Sequence, residues 1–248
     1  AMSNSINELE NAEVIFVIGS NTSEQHPMIG TRIFNAVKKN GSRLIVADPR
    51  RIPLAQYADI YAPIMPGSNL ALINAMSNVM IAENLINKEF IDDMTEGYDE
   101  FKASVAKYTP ETVAPIIGIP AEMIREMARI YAGAKTASIV FAMGITQHVT
   151  GTKNVRALAN LCMLAGQIGR ESTGINPLRG QNNVQGACDM GALPNILPGY
   201  QSLDDGSVRE KFSGLWGRGY ASGSGKTIGE MMDAAACGDI KAMYIMAE

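Results

Sequence analysis

Four short polar strings in this chain could do chemistry: Gly19-Ser20-Asn21, Asp48-Pro49-Arg50, Gly67-Ser68-Asn69, and the stretch from Met143 to Gln147. Glycine lets a main chain approach a phosphate closely, and serine or asparagine can cap the next helix while donating to an anion. A helix start behind such a turn adds free N–H groups and the positive end of its dipole. An acid placed like Asp48 is suited to meet a ribose hydroxyl. One such string is ordinary turn chemistry. Four of them, each at the carboxyl end of a candidate strand, read as a nucleotide site.

The standard dinucleotide fingerprint G-x-G-x-x-G is absent, because Gly19 is followed by Ser20-Asn21-Thr22-Ser23-Glu24. That disfavours an ordinary NAD site. Ser222 to Thr227 (SGSGKT) resembles a P-loop only in its end: the residue six before Lys226 is Tyr220, and no apolar strand precedes it. It reads as a loop with a chance Gly-Lys-Thr. Arg179 stands in a loop rich in glycine and asparagine, where a guanidinium can fork onto a carboxylate or phosphate. His26, just before Pro27, reads as ordering a helix start; His148, just past a strand end, could line a pocket but is more often an ordinary polar loop residue. Cys188 has no histidine near it in sequence and reads as a buried thiol.

These strings need a sheet to hold them. Val14 to Ile18, Arg43 to Ala47, Ile60 to Met65 and Ala137 to Met143 are short apolar runs ending in turn residues, the pattern of buried parallel strands. Helical spacing follows Pro27, follows Asn69, runs from about Pro120 to Gly133, and covers roughly Lys153 to Ile168. Short helices fill Lys88 to Val113. This rhythm predicts an α/β fold, a Rossmann-like, mostly parallel sheet with helices on both faces. After Thr173 the periodicity is lost in a long loop of the kind that carries function. A boundary near Arg179 to Gln181 would leave residues 1–180 as one domain and 181–248 as part of a second α/β domain. That part would offer a helix at Thr227 to Ala236 and a strand from Ile240 onward.

Composition narrows the partners. The chain has 248 residues, with 21 Lys and Arg against 25 Asp and Glu, a net charge of −4. Such a chain lacks the basic face of a nucleic-acid binder. Its three cysteines contain no Cys-x-x-Cys pair and there are only two histidines, so a metal site built within this chain is not expected. Sparse thiols suit a reducing, cytoplasmic compartment. No signal peptide and no apolar run long enough for a membrane span is visible. The chain stops at the very end of its last expected strand, which reads as a fragment of a longer protein.

The string Asn176 to Gln201, NPLRGQNNVQGACDMGALPNILPGYQ, resembles the catalytic subunit of molybdenum- or tungsten-dependent formate dehydrogenases, within the molybdopterin oxidoreductases. VIFVIGSN with His26-Pro27, LIVADPRR, MPGSNLALINAM and FAMGITQH support it in the same order, over nearly the whole chain from Asn11. The resemblance implies a bis-molybdopterin guanine dinucleotide cofactor with Mo or W. It puts Gly19, Ser20, Asn21 and Glu24 at the guanosine and pyrophosphate of one dinucleotide. Asp48, Pro49 and Arg50, then Gly67, Ser68 and Asn69, fall on the next two strand ends, with Met143 and Gln147 beside the dinucleotide. Arg179 would be the catalytic arginine that orients formate, with Gly180 and Gln181 at the pterin.

The same resemblance implies that the metal ligand, its neighbouring histidine and the cysteines of a [4Fe–4S] cluster lie outside this segment. The fragment alone is therefore expected to be inactive and without cofactor. In the full enzyme the expected reaction is formate to CO2, with electrons passing to electron-transfer subunits of iron–sulfur or flavin/NAD type. The alternatives are a nitrate or sulfur-compound reductase of the same superfamily, a cofactor-free scaffold paralogue in a respiratory complex, and a plain nucleotide-binding module.

Overall fold

The computed structural model describes residues 2–219 and 223–245. The chain divides into two compact units, one up to Gly180 and one from Gln181.

In the first unit β1 (Val14–Ile18) leads through α1 (Thr22–Gln25) and α2 (Pro27–Lys39) to β2 (Arg43–Ala47) and β3 (Ile60–Ala62). Then come α3 (Asn69–Ala82), α4 (Lys88–Met94), α5 (Tyr98–Val105), α6 (Pro110–Ile117) and α7 (Ala121–Gly133). β4 (Ala137–Phe141), α8 (Met143–Thr146), α9 (Gly151–Leu164) and β5 (Gly174–Pro177) complete it. The five strands form one parallel sheet in the order β3-β2-β1-β4-β5.

Both faces of the sheet are covered, which is why its strands read as unbroken apolar runs. Val14, Phe16, Ile18, Ile139 and Phe141 point into a core with α3, α6, α7 and α9. There Phe16 and Tyr131, both fully buried, meet edge-on with ring centroids 6.5 Å apart. Ile15, Val17, Leu44, Val46 and Val140 point to the other face, against Ile29, Ile33 and Ala36 of α2 and Leu9 of a 3-10 turn at Ile6–Asn11. α2 starts with Pro27 in its first turn and stops at Asn40, with Gly41 at φ +74 beyond it.

The sheet differs from the sequence expectation at its edges. β3 ends at Ala62 and β4 at Phe141, each shorter than its apolar run, because the residues beyond turn away into the next loop. β5 is an added strand inside the expected loop. It begins at a glycine and ends at a proline, is only four residues long, and sits at the sheet edge where proline is tolerated. Nothing in its apolar content announces it.

The second unit holds α10 (Val184–Asp189), a two-stranded antiparallel pair of β6 (Ile196–Leu197) and β7 (Gln201–Ser202), α11 (Gly206–Trp216) and α12 (Ile228–Ala236). α12 is where the helical pattern puts it, with a capping box between Thr227 and Glu230. The strand expected from Ile240 is not formed over residues 240–245. Met243, Tyr244 and Ile245 are exposed there, and no described strand pairs with them. The rest of that segment, 246–248, and Tyr220 to Ser222 lie outside the described residues. Cys188 is half-exposed rather than buried, because α10 is too short to bury any of its residues.

Candidate functional site

The register of the sheet brings the four polar strings together. Ile18 is level with Ala47 and Phe141, Ala47 with Ala62, and Phe141 with Pro177. Five strands therefore release their loops at one edge. From β1 the chain moves to β2 on one side and returns as β4 on the other, so the crevice beyond β1 and β4 is the topological switch point where open α/β sheets bind ligands.

A cavity of about 470 Å³ lies there, a size suited to a small-molecule site. Gly19, Ser20 and Asn21 line it from β1, Asp48, Pro49 and Arg50 from β2, Gly67 and Asn69 from β3, and Met143 and Gln147 from β4. Five other expected residues do not line it. Glu24 is exposed on α1, and its neighbour Gln25 lines the cavity instead. Ser68 is buried and spends its hydroxyl on the Met65 carbonyl at 2.6 Å. Arg179 and Gly180 are exposed just past β5 and do not line the cavity. A Cβ at Gly180 would, however, touch the sulfur of Met143 at 3.7 Å, so this segment runs beside the rim. Gln181 opens the second unit.

Met65, Pro66, Gly144 (inside the stretch Met143 to Gln147) and His148 also line the cavity. His148 takes the pocket position that the sequence left open. Its Nε2–H donates to the Gly144 carbonyl at 2.8 Å, and the Asn69 amide donates to the same oxygen at 3.4 Å. The loops after β3 and β4 thereby share one acceptor. The sequence signal was the position of His148, one residue after Gln147 in the same strand-end loop.

The loops after β1 and β4 are clasped by two glycines. Gly144 N–H donates to Gly19 O at 3.1 Å. A Cβ on Gly144 would fall 2.6 Å from that oxygen, and a Cβ on Gly19 would fall 2.7 Å from the Gly144 carbonyl carbon. Gly19 also has φ +59, a region that side chains disfavour.

Two polar atoms beside this crevice have no partner. Ser20 and Asn21 are 3% and 5% exposed, yet Ser20 Oγ and Asn21 Oδ1 are buried without a partner. Buried polar atoms normally have partners, so these two are exceptions in residues that line the crevice. Burial raises the Asp48 carboxyl above its ordinary range, opposed by the Arg50 N–H it accepts at 2.8 Å and by the Arg50 charge. Arg50 is exposed at the mouth. Acceptor, donors, one cation and N–H-rich turns around an open crevice suit a polar, phosphate-bearing ligand.

Among the described residues, no group of three or more His, Cys, Asp or Glu side chains is placed to hold a metal ion. No helix among them is long and apolar enough to cross a membrane.

Comparison with known proteins agrees with this geometry. Residues 1–248 match the family described as molybdopterin oxidoreductase. The chain is 54% identical over 248 residues to the F420-dependent formate dehydrogenase subunit alpha of Methanocaldococcus jannaschii, covering 100% of itself and 36% of that protein. It is 48% identical over 249 residues to formate dehydrogenase H of Escherichia coli, covering 100% of itself and 35% of that protein. Among solved structures it is similar to acetylene hydratase from Pelobacter acetylenicus. The TM-score is 0.62 at 29% identity, over 67% of this chain and 25% of that one. The chain thus spans about a third of the length of these curated relatives.

Proposed function

The chain belongs to the molybdopterin oxidoreductase family, and on that premise we propose that it is a segment of a formate dehydrogenase catalytic subunit that holds one molybdopterin guanine dinucleotide at the switch-point cavity. The observation that carries this reading is the convergence of four strand-end turns on one crevice with Ser20 Oγ and Asn21 Oδ1 left unpartnered. Identity of 54% and 48% to named formate dehydrogenases supports the choice of substrate within the family. Similarity to an acetylene hydratase is a reminder that the fold alone does not choose the reaction.

The residues present fit the cofactor. The Gly19–Gly144 clasp keeps the crevice open to a close-lying diphosphate, Ser20 and Asn21 supply polar contacts, and Asp48 is placed for a ribose hydroxyl. Arg50 stands for the charge of the phosphates. Gly180 and Gln181 would meet the pterin. A second dinucleotide, Mo or W, its Cys or Sec ligand and a [4Fe–4S] cluster would come from outside this segment, and residues 181–248 would be part of a second, discontinuous domain. The full protein would be cytoplasmic and pass electrons to iron–sulfur or flavin/NAD subunits.

When bound, the pterin-held metal supplies the acceptor for two electrons. The reaction is HCOO⁻ → CO2 + H⁺ + 2 e⁻. Arg179 would do the protein's part: its guanidinium offers two parallel N–H donors to the formate carboxylate and holds the anion while the C–H bond breaks. The product is neutral and linear and loses that pairing, which favours its release. Among the described residues the Arg179 side chain has no hydrogen bond or ion pair, so its donors are free for this task.

The test uses the full-length protein. Metal analysis and released guanine nucleotide should show both parts of the cofactor. Arg179→Ala should raise the formate KM and lower kcat while metal content is kept; near-normal kinetics would remove Arg179 from the reaction. The 248-residue segment alone should show no formate:dye oxidoreductase activity.

A further inference from the structure

Arg179 is exposed and, among the described residues, its guanidinium has no partner, yet a substrate-orienting arginine must be held in place. The main chain of this segment is fixed first at Leu178, whose N–H donates to Phe141 O at 2.8 Å. At Arg179 itself the contact is to a side chain: His26 Nε2 lies 2.5 Å from the Arg179 carbonyl. A carbonyl can only accept, so Nε2 carries the proton and donates. Gly180 follows without a side chain, and the second unit begins at Gln181.

The main chain of His26 is anchored, while its Nδ1 is buried without a partner among the described residues. His26 is the residue between α1 and α2, half-buried, with its N–H on Thr22 O at 3.0 Å and its carbonyl accepting from Gly30 N at 2.9 Å. Gly30 packs against that turn so closely that a Cβ would fall 3.0 Å from Thr22 O. The same turn begins at Asn21, which lines the cavity. A rigid path therefore runs from the cavity turn through His26 to the peptide of Arg179.

We propose that His26 is a positioning residue that fixes the Arg179 peptide at the rim of the sheet and ties it to the cavity turn. Its consequence for catalysis rests on the reading of Arg179 as the formate-binding arginine.

The test compares His26→Gln, His26→Asn and His26→Ala in the full-length protein. The glutamine amide nitrogen reaches the place of Nε2, and the shorter asparagine does not. The first readout is hydrogen exchange of the peptide spanning 178–182 in the protein without cofactor. The second is formate kinetics, with metal content, of the loaded enzyme. Alanine and asparagine should quicken exchange and raise the formate KM by about tenfold, more than they lower kcat, and glutamine should restore both. Exchange unchanged in the alanine variant, or equal in the glutamine and asparagine variants, overturns the proposal. If alanine prevents folding, the glutamine–asparagine pair decides. Quickened exchange with unchanged KM would uphold the positioning by His26 and instead remove Arg179 from formate binding.

Discussion

Gly144→Ala isolates the steric demand of the clasp between the β1 and β4 loops. The added Cβ would sit 2.6, 2.7 and 2.9 Å from Gly19 O, Cα and C, all main-chain atoms that cannot rotate away. Overpacking of this kind costs about 1–3 kcal/mol. Pushing the loops apart also weakens the Gly144 N–H to Gly19 O hydrogen bond, about 1 kcal/mol more. A total near 2–4 kcal/mol is a large part of the roughly 5–15 kcal/mol that holds a domain together, so the protein should fold with a lowered Tm. At about 2–4 °C per kcal/mol for a domain of this size, Tm should fall by roughly 4–16 °C. Dinucleotide retention should fall as well, because the clasp sits inside the cavity wall. Gly67→Ala is the control: Gly67 has φ +86 but open space where a Cβ would go, so it carries backbone strain without collision. Thermal unfolding and guanine-nucleotide content of the purified protein measure both effects. A Gly144→Ala protein with unchanged Tm and full nucleotide content would refute the clasp.

Ser20→Ala should separate stability from binding. Its hydroxyl is buried without a partner, so removing it should leave the cofactor-free protein as stable or up to about 1 kcal/mol more stable, while dinucleotide retention falls. A marked loss of cofactor-free stability would show that the hydroxyl serves the fold. Glu8 should make the N-terminal segment acid-sensitive. Hydrogen bonds from Asn4, Ser172 N and Ser5 pull its carboxyl from 4.5 to about 2. A depressed carboxylate contributes stability above pH 4.5 and loses it as pH falls toward about 2. Protection of the amides at residues 3–11, taken relative to their intrinsic exchange rate at each pH, should therefore fall over that window, and Glu8→Gln should abolish this pH dependence of protection. Burial pushes the Cys162 thiol up to about 11, while Cys237 is exposed. At pH 8 a thiol reagent should label Cys237 and spare Cys162 in the folded protein, as peptide mapping would show.

β1, β2 and β4 were legible because a strand buried on both faces is made almost wholly of apolar residues, broken here only by Arg43 at the start of β2 and Ser138 in β4. α2 and α7 were legible from their period, α3 from a long apolar run after Pro66-Gly67-Ser68-Asn69, and α12 from the Thr227 boundary. β5 was not, because an edge strand of Gly-Ile-Asn-Pro is held by hydrogen bonds to β4 and not by its own composition. The same holds, in reverse, for Ile240 onward: the apolar pattern is there and the described partner strand is not.

Residue types and local turns were thus set by the sequence: which strings carry glycine with serine or asparagine, where an arginine stands, and which family the longest string resembles. What the tertiary structure decided was distance between residues far apart in the chain. Parallel register placed the ends of β1, β2, β3 and β4 level, so positions from 19 to 147 face one crevice. It seated His148 and Asn69 on one carbonyl and put His26 under Arg179, 153 residues away. Periodicity reports each element's own environment, whereas these contacts arise from how separate strands align, and no local pattern records that alignment.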